Sequence, residues 1–346
     1  MFYQVFFSQS YAETDENFCE SYVNQERYAE ALVICKKAAD QGSSDAQYEL
    51  GYMYENGKGV RQDYGKAIEW YEKSAQLGNR FAQFNLGYMY ENGQGVNRNC
   101  KKALEWYEES ASRGSLEAKF NIGFMYFNGN CVKQDYKKAI EWYERAAEMG
   151  CQLAQFNLGF MYEEGLGVSR NYKKAFEYYE KSAQQGDSLA QRHLGFMYRK
   201  GLGVRQDYQK ARQWLIKSAE QGDSLAQCEL GLMYVYGDGV RENYKKARTW
   251  LAKSAGLGNS IAQFNLGLLY LNGKGGKRDY KKATELFEKS AAQNFAIAQH
   301  VLGECYLDGL GVRQEKRQAK EYFGLACDNG LQNGCDMYRI LNEQGI

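Results

Sequence analysis

The chain repeats itself every 36 residues, and that period leaves few folds open. A Gly stands at 51, 87, 123, 159, 195, 231, 267 and 303, with no insertion between copies. A Tyr follows three residues after each, from Tyr54 to Tyr306. A second Gly follows six after, from Gly57 to Gly309, and an Ala sixteen after, from Ala67 to Ala319. A single unit of this length cannot bury an apolar face alone, whereas a stack of units can. An unbroken array therefore predicts a solenoid rather than a closed globule. Repeats one to eight are numbered by these key glycines.

Each repeat reads as two helices. In repeat one, Ala46, Leu50 and Tyr54 recur at i, i+4 and i+8, one stripe of a helix. Asn56-Gly57-Lys58-Gly59 then stops it, because Gly takes the left-handed conformation a helix end needs. Asp63 stands where the second helix begins. Its counterparts are Asn99, Asp135, Asn171, Asp207, Asn243, Asp279 and Glu315, and seven of these eight are preferred N-caps. Ala67, Tyr71 and Ala75 form the second stripe, with Trp70 beside it, and Gly78 ends it. The complete absence of Pro fits a chain that is almost entirely helix.

The pattern A-x3-L-G-x2-Y-x2-G-x-G-V-x2-D-x3-A-x2-W-x4-A resembles the Sel-one-like repeat family, relatives of the tetratricopeptide repeat, over about residues 26–343. The resemblance implies an all-α, right-handed α-solenoid that binds proteins or peptides; the chain is expected to be a monomeric, non-enzymatic scaffold without cofactor or metal. Cys131 departs from the second loop Gly, Gly276 from the loop Val, and Lys316 from the Tyr that opens the second helix. The expected organisation is a leader or signal-peptide remnant at 1–12, a degenerate capping unit at 13–41, the array at 42–328 and a capping helix at 329–346.

Charge and composition narrow the partner class. With 44 Lys+Arg against 43 Asp+Glu, net charge is +1, which argues against a strongly basic nucleic-acid binder. No stretch approaches the roughly 20 apolar residues of a membrane span. Met1 to Ala12 ends in Ser-Tyr-Ala, similar to a signal-peptidase site, though its apolar stretch is short and no basic region precedes it. Cys327 and Cys335 resemble the bridge of cysteine-rich secreted family members, which points to a periplasmic or secreted protein; a cytoplasmic location is the alternative. Cys19 and Cys35 pair or do not, since spacing alone is silent on it. Cys100, Cys131, Cys151, Cys228 and Cys305 read mostly as small buried hydrophobes.

Some strings imitate chemistry. Gly186-Asp187-Ser188-Leu189 and Gly222-Asp223-Ser224-Leu225 spell an esterase motif. The same register elsewhere reads Gly-Asn-Arg-Phe and Gly-Ser-Leu-Glu, so the position is a helix junction. Labels on bacterial relatives raise a hydrolase of cell-wall or β-lactam amides as an alternative, and a cytoplasmic regulatory or chaperone adaptor is another. The chain has no Ser-x-x-Lys, Ser-Asp-Asn or Lys-Thr-Gly element. His193 and His300 occupy different columns and read as groove or surface residues. Lys pairs such as 101–102 and 137–138, followed by Glu105 and Glu141, read as a solvated, charge-compensated helix face.

In related solenoids the first helix of each repeat lines the concave side. The columns three before and one after the key Gly then give a candidate groove: Phe84, Phe120, Phe156, Arg192 and Phe264, with Tyr88, Phe124, Phe160 and Phe196. Asn85, Asn121, Asn157 and Asn265 stand beside them, available to a peptide backbone. The competing reading buries the aromatics between adjacent repeats. The column four after the Gly varies most (Glu55, Glu91, Phe127, Glu163, Arg199, Val235, Leu271, Leu307), and Lys200 and Tyr236 lie one residue further on. Partner choice is expected in these variable columns, on a surface passing from acidic to basic at Arg192, Arg199 and Lys200.

Overall fold

A computed structural model describes residues 15–346; the 1–12 segment lies outside the described residues. Every regular element among them is a helix, 19 in all. Helices Asp15–Asn24 and Tyr28–Asp40 precede the array, and Gln332–Glu343 follows it. Between them each repeat contributes two helices of 12 or 13 residues, as Ser44–Asn56 and Tyr64–Gln76 do in repeat one. Through residues 15–148, and again through 172–343, helices pack on their neighbours in chain order, an all-α solenoid of helix pairs. The array falls into two compact bodies. One holds residues up to Met161 with Gly165–Ser169, the other Tyr162–Glu164 with Arg170–Ile346.

The caps form as the sequence predicts. The Asp63 carboxylate accepts from Lys66 N at 3.0 Å, and its six Asp or Asn counterparts do likewise, while Glu315 makes no side-chain cap bond. Asp187, in the esterase-like string, accepts from Leu189 N and Ala190 N, so it is an N-cap. Gly57 ends its helix at φ 66°, a conformation with a Cβ penalty for other residues. Gly51 serves closeness instead: a Cβ there would lie 2.5 Å from the Tyr71 ring. Beneath these stripes runs a core column absent from the sequence reading, Met53, Met89, Met125, Met161, Met197 and Met233, all fully buried.

The cysteine assignments need correction. Cys100 and Cys131 are joined by a disulfide, with Cα atoms 4.8 Å apart. Elsewhere the second loop Gly lies against the Tyr that opens the preceding repeat's second helix, as Gly95 does on Tyr64 and Gly167 on Tyr136. Cys131 and Cys100 replace that Gly and that Tyr, so two departures from the pattern meet at one contact. Cys131 adopts the loop's left-handed φ of 67° despite its side chain. Cys19–Cys35 and Cys327–Cys335 are also bonded, at Cα separations of 4.8 and 4.5 Å. Cys151, Cys228 and Cys305 are free and buried; burial raises the Cys228 and Cys305 thiols to about 12.

The lysine face is exposed, but its neighbours differ from those expected. The second Lys of each pair lies over the Tyr three after the key Gly, with Lys102 5.0 Å from the Tyr90 centroid and Lys138 5.1 Å from that of Tyr126. Lys101–Glu105, at 3.8 Å, is an ion pair.

Candidate functional site

The groove residues divide by column. In repeats two and three the rings three before the key Gly pack onto the second helix of their own repeat. Phe84 is 5.6 Å from Tyr107, and Phe120 is 5.6 Å from Tyr143. In the second body Phe264 is buried between Phe287 and Phe295. Phe84, Phe120 and Phe156 are half-buried, so this column fills the layers, within repeats rather than only between them. The column one after the Gly is more open: Tyr88, Phe124 and Phe196 are exposed, and Phe160 is half-buried.

The asparagines are engaged with the chain itself. Asn121 donates to the Tyr107 hydroxyl at 3.3 Å. Asn85 and Asn157 stand against the Tyr71 and Tyr143 hydroxyls, drawing down tyrosine pKa values that burial raises. Asn265 donates to the Ile261 carbonyl at 2.8 Å. Their amides tie one repeat to another, or one helical turn to the next, before any peptide arrives.

The variable column is partly structural as well. Glu55, Glu91 and Glu163 each accept the buried phenol of the second helix, from Tyr71 at 2.6 Å, Tyr107 at 2.8 Å and Tyr179 at 2.6 Å. The expected basic surface is also corrected. Arg192 Nε pairs with Asp223 Oδ2 at 3.2 Å. Arg199 pairs with Glu229 and, at 3.2 Å, with Asp238. Only Lys200 of the three cations is exposed.

One cavity gathers several of these side chains within the second body. It encloses about 280 Å³ and is lined by Glu163, Arg192, His193, Phe196, Leu215, Leu225 and Glu229. Glu163 is supplied by the end of helix Gln152–Glu164, Arg192, His193 and Phe196 by Ser188–Lys200, and Leu225 and Glu229 by Ser224–Tyr236. His193 Nδ1 lies 3.1 Å from Glu163 Oε2, and its ring stacks on Tyr179 at 4.7 Å. Burial pushes the Glu163 carboxyl up, but hydrogen bonds from His193 and Tyr179, with the charges of His193 and Arg192, outweigh it and hold the group below the usual carboxylate range. The cavity thus holds an ionised carboxylate at neutral pH beside an apolar wall.

Beside the cavity an apolar row runs through the second body. Leu189, Leu225, Ile261 and Ile297 occupy one register in consecutive repeats, and all are exposed. Tyr236, 63% exposed, stands further along the helix that carries Leu225. The signal for this row was present, an aliphatic residue two after each N-cap, but it lies outside the two columns read for the groove. Among the described residues no group of three or more His, Cys, Asp or Glu side chains is placed to hold a metal, and no helix is long and apolar enough to cross a membrane.

The Sel1 repeat family matches eight times in succession, at 44–79, 80–115, 116–151, 152–187, 188–223, 224–259, 260–295 and 296–331. Among solved structures, a Sel1 repeat protein from Oxalobacter formigenes is 30% identical with a TM-score of 0.72, the match covering 99% of this chain and 97% of that one. A protective antigen of uropathogenic Escherichia coli with an SLR fold is 34% identical with a TM-score of 0.59, over 92% of this chain and 84% of that one. No curated protein sequence matches the chain. The 36-residue period, the Gly–ring contact at the centre of each repeat and eight contiguous family matches have one common explanation: this chain belongs to the Sel1 repeat family.

Proposed function

We propose that the chain is a non-enzymatic scaffold that binds a protein or peptide segment along the outward faces of the first helices. Sel1 repeat solenoids generally act as protein-interaction scaffolds. The observation that carries the reading here is the exposed row Leu189, Leu225, Ile261 and Ile297 beside the 280 Å³ cavity. Apolar side chains repeated at one register on neighbouring helices offer an extended segment continuous contact, the arrangement expected of a binding surface. Three disulfides support a protein that works in an oxidising compartment such as the periplasm or outside the cell.

Photocrosslinking tests the reading. With p-benzoyl-phenylalanine in place of Phe196, Tyr236 or Ile261, a discrete partner adduct is expected; with it in place of Lys245, on a second helix, none is. Adducts from Lys245 alone would move the binding surface to the opposite helices and overturn the assignment.

A further inference from the structure

We infer that the cavity between Glu163 and Glu229 receives the basic side chain, Lys or Arg, of a peptide whose apolar neighbours lie along Leu225 and Ile261. This rests on the peptide-binding reading above. Charge decides the sign. Around the cavity four carboxylates, Glu163, Asp223, Glu229 and Asp238, meet two guanidiniums, Arg192 and Arg199. Each Arg is already committed to acidic partners, so an incoming carboxylate finds no uncommitted guanidinium and two glutamates in the lining. A cation finds the reverse. Both bonds made by Glu163 fall on Oε2, from Tyr179 and His193, and the bond from Arg199 falls on Glu229 Oε2. An ionised carboxylate has about four acceptor sites, so each glutamate keeps acceptor capacity on Oε1.

Shape argues for one long side chain. At about 280 Å³ the space falls just under the ~300–1,000 Å³ of small-molecule pockets. Phe196, Leu215 and Leu225 give it an apolar wall, and the polar lining comes from Glu163, Arg192, His193 and Glu229. An alkyl stem ending in a positive charge matches both parts, since Lys and Arg bury their stems against apolar surface while the head keeps polar partners. Leu225 belongs both to the cavity wall and to the apolar row, so a residue anchored in the cavity sets its neighbours down beside Ile261.

The test uses the full chain and fluorescein-labelled nonapeptide pools with randomised flanks and a fixed central Lys, Arg, norleucine or Glu, read by anisotropy. Lys- and Arg-centred pools are expected to bind at least ten-fold more tightly than norleucine- or Glu-centred ones. Glu163→Gln with Glu229→Gln should erase most of the difference between the Lys-centred and norleucine-centred pools. If those substitutions lower the melting midpoint, the wild-type protein decides. A Lys preference that shrinks at high salt supports the anchor, and one indifferent to salt overturns it. Equal or better binding of the norleucine or Glu pool overturns the basic anchor but leaves the peptide scaffold standing. Binding of no pool at all overturns the scaffold reading and the anchor with it.

Discussion

Tyr71 donates its phenolic hydrogen to Glu55 Oε2 at 2.6 Å, across sixteen residues and between the two helices of repeat one. The ring is fully buried against Gly51. The same pair recurs as Tyr107–Glu91 and Tyr179–Glu163. Where the tyrosine becomes Leu or Phe, at Leu215, Leu251, Phe287 and Phe323, the glutamate becomes Arg199, Val235, Leu271 and Leu307. The two columns change together because a buried hydroxyl needs an acceptor and a buried methyl or ring edge does not. Repeat three keeps Tyr143 opposite Phe127, and there the hydroxyl lacks a carboxylate acceptor and faces the Asn157 amide instead.

Glu55→Leu alone should therefore cost about 1–3 kcal/mol, because it leaves a buried phenol without its carboxylate acceptor. Glu55→Leu combined with Tyr71→Phe recreates the Leu271–Phe287 pair of repeat seven and should return most of that loss. Urea denaturation of both variants, with hydrogen exchange of repeats one and two, checks the coupling. Equal losses in the single and double variants would mean that the hydrogen bond is not what links the columns.

Reduction should destabilise the wild-type chain around Cys100–Cys131. The bridge closes a loop of sequence separation 31, a constraint of about 3–4 kcal/mol on the unfolded chain. Cys100→Tyr with Cys131→Gly restores the ring-on-glycine contact of the other repeats. In a background from which the other two bridges have been removed, its melting midpoint should be the same with and without dithiothreitol. A double variant as unstable as the reduced wild type would show that the contact and the disulfide are not interchangeable.

The fold was legible because packing repeats in every layer, and residues such as Gly51, Ala67 and Asp63 recur wherever the backbone makes the same demand. The site was less legible for the same reason. Variation within one column suggests freedom from packing, yet Glu55 and Tyr71 vary as a pair joined through space, which no single column displays. Arg199 looked like a free cation because Glu229 and Asp238 lie 30 and 39 residues away in the chain. Cys100 and Cys131 each looked like a scattered departure, and only the Gly95–Tyr64 contact of another repeat shows that they occupy touching positions.

Glu49 gives a pH-dependent prediction in the first body. Burial, reinforced by the charges of Glu20 and Asp45, raises its carboxyl to about 7. The folded state thus favours the protonated form. The associated stability is present in full below the unfolded value of about 4.3 and is lost as pH rises through about 7. Glu49→Gln, which keeps the neutral shape, should stabilise the first repeats by about 1 kcal/mol at pH 8, after discounting the shift for partial exposure. At pH 4 it should change almost nothing. A pH-independent effect of the substitution, followed by thermal melting, would count against the strained carboxylate.

Arg199 and Lys200 are adjacent in sequence but should behave as opposites. The Arg199 side chain is mostly buried and bridges Glu229 and Asp238, and Arg192 neutralises Asp223 on the same side of the neighbouring repeat. Arg199→Glu would bring three carboxylates together with no cation among them, a loss of about 1–3 kcal/mol given that Glu229 and Asp238 remain partly hydrated. Lys200→Glu alters an exposed position and should leave stability within about 0.5 kcal/mol. The two also separate by ligand. If the cavity prefers basic side chains, Lys200→Glu should strengthen binding of a Lys-centred peptide pool through the added negative field, and more so at low salt. Chemical denaturation and anisotropy on the same two variants read both effects. An Arg199→Glu protein as stable as wild type would show that the Glu229 and Asp238 pairs do not form in solution, and the surface would then regain the basic character its sequence suggested.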